Sequence, residues 1–262
     1  MSEEVLIVER DGPVAIVTMN RPQARNALNK QLHTELGAAV QKLGDDTSVR
    51  VIVLTGAGGS FCSGADLKTM LADNPGGLTG VEVVIDQYHA MIRAIVGAPK
   101  PVIAMVGGGA VGFGCDLALA CDMRVISTDA YFQEKFVKIG LMPDGGGTFL
   151  LPRLIGLGRA MEYILTGEVI DAGTAQALGL ANRVVPASDL RAQTLSLAHS
   201  LAKGPPLAFG EIKKAMRASL GGTIDTALDM ERAGQIRCLH SSDCMEGLTA
   251  WAEKREPSFT GK

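Results

Sequence analysis

Two glycine-rich turns about fifty residues apart constrain this chain more than any other feature. The first, Ser60-Phe61-Cys62-Ser63-Gly64-Ala65-Asp66-Leu67, follows the apolar run Val51-Ile52-Val53-Leu54. The second, Gly107-Gly108-Gly109-Ala110-Val111-Gly112-Phe113-Gly114-Cys115-Asp116, follows Val102-Ile103-Ala104-Met105-Val106. Each reads as a buried strand that turns through glycines into a helix start. A helix start leaves backbone N–H groups unpaired and carries a partial positive charge. If the turns face each other, one N–H from each would grip a developing negative oxygen, as an oxyanion hole does. Glycines also simply permit tight connections. Two such turns, each followed by an acid (Asp66, Asp116), favour the shared anion site.

The rest of the chain places these turns in an α/β fold. Val5–Glu9 and Val14–Met19 form a hairpin through Asp11-Gly12. Leu32, Leu36, Ala39, Val40 and Leu43 recur at helical spacing up to Gly44, and Val81 to Val96 trace a long helix that stops at Pro99. Met123–Ser127 and Tyr131–Gln133 are further strands, and strand–helix alternation argues for parallel pairing. The rhythm of apolar strand, glycine turn and helix occurs twice, which suggests a repeating unit. The polar stretch 73–79 reads as a mobile surface loop. Beyond Leu190 the character turns helical: Leu190–Lys203, Leu207–Leu220, Thr223–Cys238 and Asp243–Glu253, the last opened by Asp243 and Glu246 as a capping pair. The chain is therefore divided into a core over residues 1–195 and a helical region over 196–262.

Bulk properties exclude several classes. With 262 residues, 47% hydrophobic and 20% charged, the chain suits an ordinary globular domain rather than a disordered one. A net charge of −3 gives no reason to expect nucleic acid. Five cysteines without a CxxC pair fit a reduced compartment, and the four histidines show no metal-ligand spacing. No apolar run reaches the ~18 residues of a membrane span. Met1-Ser2-Glu3-Glu4 is acidic where a signal peptide is basic. The expectation is a cytoplasmic protein with no membrane partner.

The acids are the candidate chemistry. Asp144, in Pro143-Asp144-Gly145-Gly146-Gly147, either caps the helix that follows or is a carboxyl fixed at a rigid turn in an apolar pocket. In the second case its pKa rises and it can shuttle a proton. Asp116 at its helix start is equally a structural acid or a group that holds water or assists a proton. Gly107–Gly112 also matches G-x-G-x-x-G with Asp129 after the next strand, the mark of a dinucleotide-binding oxidoreductase, but the crossover to Asp122 is short for that unit. No G-x-S-x-G or P-loop pattern is present. Cys62 reads as a small buried thiol rather than a nucleophile.

These residues resemble the crotonase superfamily, the enoyl-CoA hydratase/isomerase family. The likeness runs through Asn20-Arg21-Pro22, Ala27-Leu28-Asn29, Phe61 to Leu67, Gly112 to Asp122, Ile139 to Thr148, Leu165-Thr166-Gly167 and Lys254 to Phe259. It implies an α/β spiral of repeated ββα units with a C-terminal helical region that builds trimers, often stacked as hexamers. It implies no tightly bound cofactor, coenzyme A entering as part of an acyl-CoA substrate. The thioester oxygen would lie between the N–H groups of Ala65 and Phe113. Arg25, Ala27, Leu28, Ser63, Gly64, Ala65, Asp66 and Leu67 would line the CoA site, and Phe259 and Lys262 would reach the CoA of a neighbouring subunit.

The resemblance also narrows the reaction. Hydratases of the family use two glutamates to position a water; the matching positions here are Asp116 and Phe136, and phenylalanine carries no proton. Asp144 matches the aspartate that family isomerases use as base. Phe136 with Pro143-Asp144 and Leu151-Pro152-Arg153 is most similar to the phenylacetate-pathway isomerases, which act on 3-enoyl or ring-type CoA thioesters. The expected chemistry is proton transfer by Asp144 about an enolate. An enoyl-CoA hydratase is the alternative, with an RNA-binding non-enzyme more remote.

Overall fold

The computed structural model describes residues 4–73 and 82–262. The expected hairpin opens it: β1 (Leu6–Asp11) runs antiparallel to β2 (Val14–Met19), turning at Gly12 with φ +57°. Then come α1 (Lys30–Asp45), β3 (Val51–Gly56), α2 (Leu67–Asp73), α3 (Glu82–Gly97), β4 (Val102–Val106), β5 (Gly109–Val111) and α4 (Phe113–Ala120). β6 (Met123–Ser127), β7 (Tyr131–Gln133), α5 (Gly147–Ile155), α6 (Leu157–Thr166), β8 (Ile170–Asp171), α7 (Ala172–Ala177) and β9 (Arg183–Val185) follow. Four helices complete the chain: α8 (Leu190–Ala202), α9 (Pro206–Ser219), α10 (Ile224–Leu239) and α11 (Ser242–Glu253). The loop expected at 73–79 lies, from residue 74 on, outside the described residues.

The larger sheet has the order β1-β2-β3-β4-β6-β9 and is parallel from β2 onward. A parallel sheet is covered on both faces, so its strands are apolar throughout. Ile52 and Leu54 face one layer with Leu32, Leu36 and Val40 of α1 and Met91 and Ile95 of α3. Val51 and Val53 face the other, against Leu190 and Ala198 of α8. The division expected at 195 therefore falls inside a helix that belongs to the sheet's packing.

A second layer explains the repeat seen in the sequence. β5 pairs in parallel with β7, and β8 adds antiparallel. After β3 the chain makes the same excursion without a full strand: Cys62 bridges to Ala110, and Ala65 to Leu28. Each turn of the chain so places one strand in the large sheet and a shorter segment beside it, a spiral. Gly107–Gly112 is absorbed into this layer, since Gly109–Val111 is itself strand. The dinucleotide reading needs those glycines as a turn into a helix, and loses its geometry. Asp122, where the short crossover ends, accepts from Val102 N and pairs with Lys213 and Arg217 of α9.

The capping pair expected at α11 is corrected. Its N-cap is Ser241, which accepts from Cys244 N. Asp243 instead accepts from the Thr260 and Gly261 N–H groups, and Glu246 pairs with Arg255 and accepts from Ser258 N. Both acids bind the tail to α11 because that tail runs back along the helix start.

Candidate active site

Three segments converge beyond the C-terminal ends of β3 and β4. Ser63 N donates to Arg25 O, Leu28 N to Gly64 O and Asp66 N to Leu28 O, so 25–28 lies along 63–66. On the other side Val111 N donates to Cys62 O, and Phe61 N and Cys62 N to Gly109 O. Gly64, at φ +90°, is the point of closest approach: a Cβ there would lie 2.9 Å from Val111 O and 3.3 Å from Phe113 N. Gly114 packs so tightly that a side chain would run into the Cys62 carbonyl. The glycines serve turn-to-turn contact, and the contact joins the two turns singled out in the sequence. Among the described residues, neither the Ala65 nor the Phe113 N–H has an acceptor.

Asp144 enters this place from the turn before α5. The α5 N-cap is Gly146, without a side-chain cap bond, so Asp144 is not a helix cap. Gly145 lies over the Phe113 ring, where a Cβ would be 2.7 Å from Cε2. Tyr88 of α3 stacks on the same ring at 4.4 Å between centroids. Asp144 is half-buried, and its Oδ1 is buried with no hydrogen-bond partner among the described residues. Burial pushes its carboxyl above the ordinary range, opposed by a hydrogen bond from its own backbone N–H and by the charge of His89. Phe136, in a 3-10 turn at Lys135–Ile139, lays its ring 3.9 Å from a Cβ position on Gly112. Aromatic rings so lie beside both Gly112 and Gly145.

Asp116 is placed differently. It is fully buried, and its Oδ2 accepts from Gly145 N at 2.9 Å, reaching away from its own helix. Glu134, just after β7, is buried beside it. Sequence reasoning passed over Glu134, although strand alternation gives the signal: Phe132 and Glu134 share the inward face. Asn26 was missed as well. At φ +58° it donates to Ala57 O and Ser60 O and accepts from Arg21 N, fastening the first loop to the first turn.

The remaining candidates divide. Arg25 is exposed at φ +51°, and Ser63 Oγ donates to Ala24 O. Asp66 is a latch: burial alone would raise its pKa, but hydrogen bonds from Thr69 and Arg21 prevail and hold it low. Leu67 is 37% exposed at the start of α2. Cys62 donates to Asn26 O, and burial pushes its thiol up to about 12, which suits a packing role. Phe259 and Lys262 are not brought to this place within the chain. Phe259 O accepts from Arg50, which precedes β3, and Lys262 O accepts from Asp243 N and Ser242 Oγ. They lie at the opposite end of the sheet from Ala65 and Phe113.

A spiral of strand–turn units with two glycine turns in contact, and the Asp144-bearing turn packed against Phe113, is the arrangement of the crotonase class, and comparison with known proteins agrees. The enoyl-CoA hydratase/isomerase family model matches residues 9–262, and the chain belongs to that family. It is 40% identical over 262 residues, all of both chains, to a probable enoyl-CoA hydratase of Rhodobacter capsulatus. It is 37% identical over 260 residues, 99% of each chain, to the 1,2-epoxyphenylacetyl-CoA isomerase of Escherichia coli. Among solved structures, an enoyl-CoA hydratase of Bacillus anthracis superposes with a TM-score of 0.94 at 34% identity, over 99% of this chain and all of that one.

Proposed function

We propose that this chain is an enoyl-CoA isomerase that moves a double bond in an acyl-CoA thioester by proton transfer through an enolate. The thioester oxygen accepts from the Ala65 and Phe113 N–H groups. The Asp144 carboxylate takes the proton alpha to the carbonyl of a 3-enoyl thioester. The C–H electron pair becomes the enolate and its charge moves onto the oxygen. The same carboxyl returns the proton at the gamma carbon, giving the 2-enoyl product. The supporting observation is a half-buried carboxyl of raised pKa, on a turn packed against Phe113, together with Ala65 and Phe113 N–H groups that have no acceptor among the described residues. The name of the Escherichia coli relative extends the substrates to be assayed to ring-type thioesters.

The hydratase reading is favoured by the names of several relatives. It requires a second acid to hold the water, and that side chain, Asp116, is fully buried with one oxygen given to Gly145 N. Arg25, Ala27, Leu28, Ser63 and Leu67 line the approach for the CoA moiety. The tail with Phe259 and Lys262 sits at the far end of the sheet, so it serves a CoA only across a trimer or hexamer. Exposed Ile224, Leu228, Leu248 and Trp251 on α10 and α11 supply an apolar surface for such self-association. The five free thiols suit a reducing, cytoplasmic setting. The test is a panel of 2-enoyl and 3-enoyl thioesters with wild type and Asp144→Asn. Isomerisation should fall at least ~10²-fold in the variant, the range of general acid–base catalysis, with CoA-thioester binding near normal. Crotonyl-CoA hydration outpacing isomerisation in the wild type would overturn the reading.

A further inference from the structure

The most unusual electrostatic feature of the chain lies behind the site. Asp116 and Glu134 are both buried, at 0% and 1% exposure. Asp116 Oδ1 and both Glu134 carboxyl oxygens have no hydrogen-bond partner among the described residues. Both side chains close on one point: a Cβ on Gly147 would run into Asp116 Oδ1 and lie 2.8 Å from Glu134 Oε1. The titratable groups that face the pair are Cys115 on α4, a weak donor, and Asp144 on the turn before α5; among the described residues no lysine, arginine or histidine is a leading influence on either carboxyl. Two desolvated carboxylates without a counter-cation cannot both ionise.

We propose that Asp116 and Glu134 share one proton between Oδ1 and Oε1, and that this acid pair is the positioning clamp for the turn carrying Asp144. The missing donor is then supplied by the pair itself. Asp116 Oδ2 accepts from Gly145 N, and Gly147 packs directly against Asp116 Oδ1, so the turn meets the pair on both sides of Gly146. Glu134 in turn fixes Asp116. The shared proton keeps the pair at one negative charge; losing it would place a second charge behind Asp144 and repel the ionised base. Burial, the largest cause for both, pushes the two members above the ordinary carboxylate range; the charge of Glu134 raises Asp116 further, whereas Cys115 and Asp116 draw Glu134 part of the way down. The folded chain therefore binds more protons than the unfolded one above the unfolded carboxyl pKa of about 4.3. Stability from the pair is complete below that value and is lost as pH rises through the raised folded pKa.

The clamp's effect on turnover rests on the reading of Asp144 as the base, whereas the shared proton does not, and two readouts separate them. The first is infrared difference spectroscopy of wild type and Glu134→Gln near neutral pH, with denaturation midpoints from pH 4 to 9. A protonated-carboxyl band that disappears in Glu134→Gln, together with a flattened pH dependence of stability, supports the shared proton. The second is kinetics: Glu134→Leu should lose ~10²-fold in kcat with KM little changed, as for a misplaced catalytic group. Glu134→Gln, which can still donate to Asp116, should recover most of that loss while its alkaline limb shifts. Absence of the carboxyl band, or identical pH–stability curves for wild type and Glu134→Gln, would overturn the proposal. If Asp144→Asn stays active while the band is present, the proposed function fails and the acid pair stands.

Discussion

Replacing Gly64 by alanine tests the convergence of the two turns directly. The backbone there is at φ +90°, a region that costs an L-residue about 1–3 kcal/mol. The added Cβ would stand 2.9 Å from Val111 O, roughly 0.4 Å short of an ordinary carbon–oxygen contact, and 3.3 Å from Phe113 N. Neither neighbour is a flexible side chain. Val111 is held by its N–H bond to Cys62 O, and Phe113 begins α4. Relief of the clash has to displace Gly64, and the Gly64–Ala65 peptide that moves with it carries the Ala65 N–H. Loss of one oxyanion donor costs about 2.7–4 kcal/mol, or 10²–10³ in kcat. Steady-state isomerisation of a 3-enoyl-CoA thioester, with binding of a saturated acyl-CoA as the companion measurement, should show kcat falling by that factor and affinity changing little. Gly12→Ala is the control, since Gly12 has φ +57° with nothing within 4 Å of the added Cβ. It should lose about 1–2 kcal/mol in stability and nothing in kcat. A Gly64→Ala enzyme with kcat within twofold of wild type would refute the argument that these two turns form the anion site.

Two further substitutions test the scaffold. Asn26→Ala removes the bonds to Ala57 O, Ser60 O and Arg21 N and leaves alanine at φ +58°, so urea denaturation should show a loss of roughly 3 kcal/mol or more. Lys100 is buried with Nζ donating to Leu43 O, Asp46 O and Val49 O at 2.8–2.9 Å, joining the end of α1 to the start of β3. Lys100→Met strands three carbonyls at ~1 kcal/mol or more each and should lower stability by about 3 kcal/mol, with kcat unchanged in the folded fraction.

Legibility in the sequence followed the range of the forces involved. The parallel strands were readable because both faces of Val51–Leu54 and Val102–Val106 are buried, and burial writes an unbroken apolar run. The glycine turns were readable because close backbone approach admits no other residue. β8 is two residues long and carries too little pattern to see. The acids were harder still, because a carboxyl's role is set by what lies across from it and not by its neighbours in sequence. Asp144 looked half like a helix cap, yet its helix starts at Gly146 without it. Asp243 and Glu246 had the spacing of a cap, yet both are taken by the tail. Asp116 looked like a lone acid at a helix start, and only the next turn of the spiral brings Glu134 beside it. The same fact bears on the chemistry: Asp116 is fully buried, and its Oδ2 is already held by Gly145 N. On the proposed reading Asp144 is the one carboxyl that serves the anion site, and a single acid can carry a proton between two carbons more readily than it can orient a water and protonate a carbon at once.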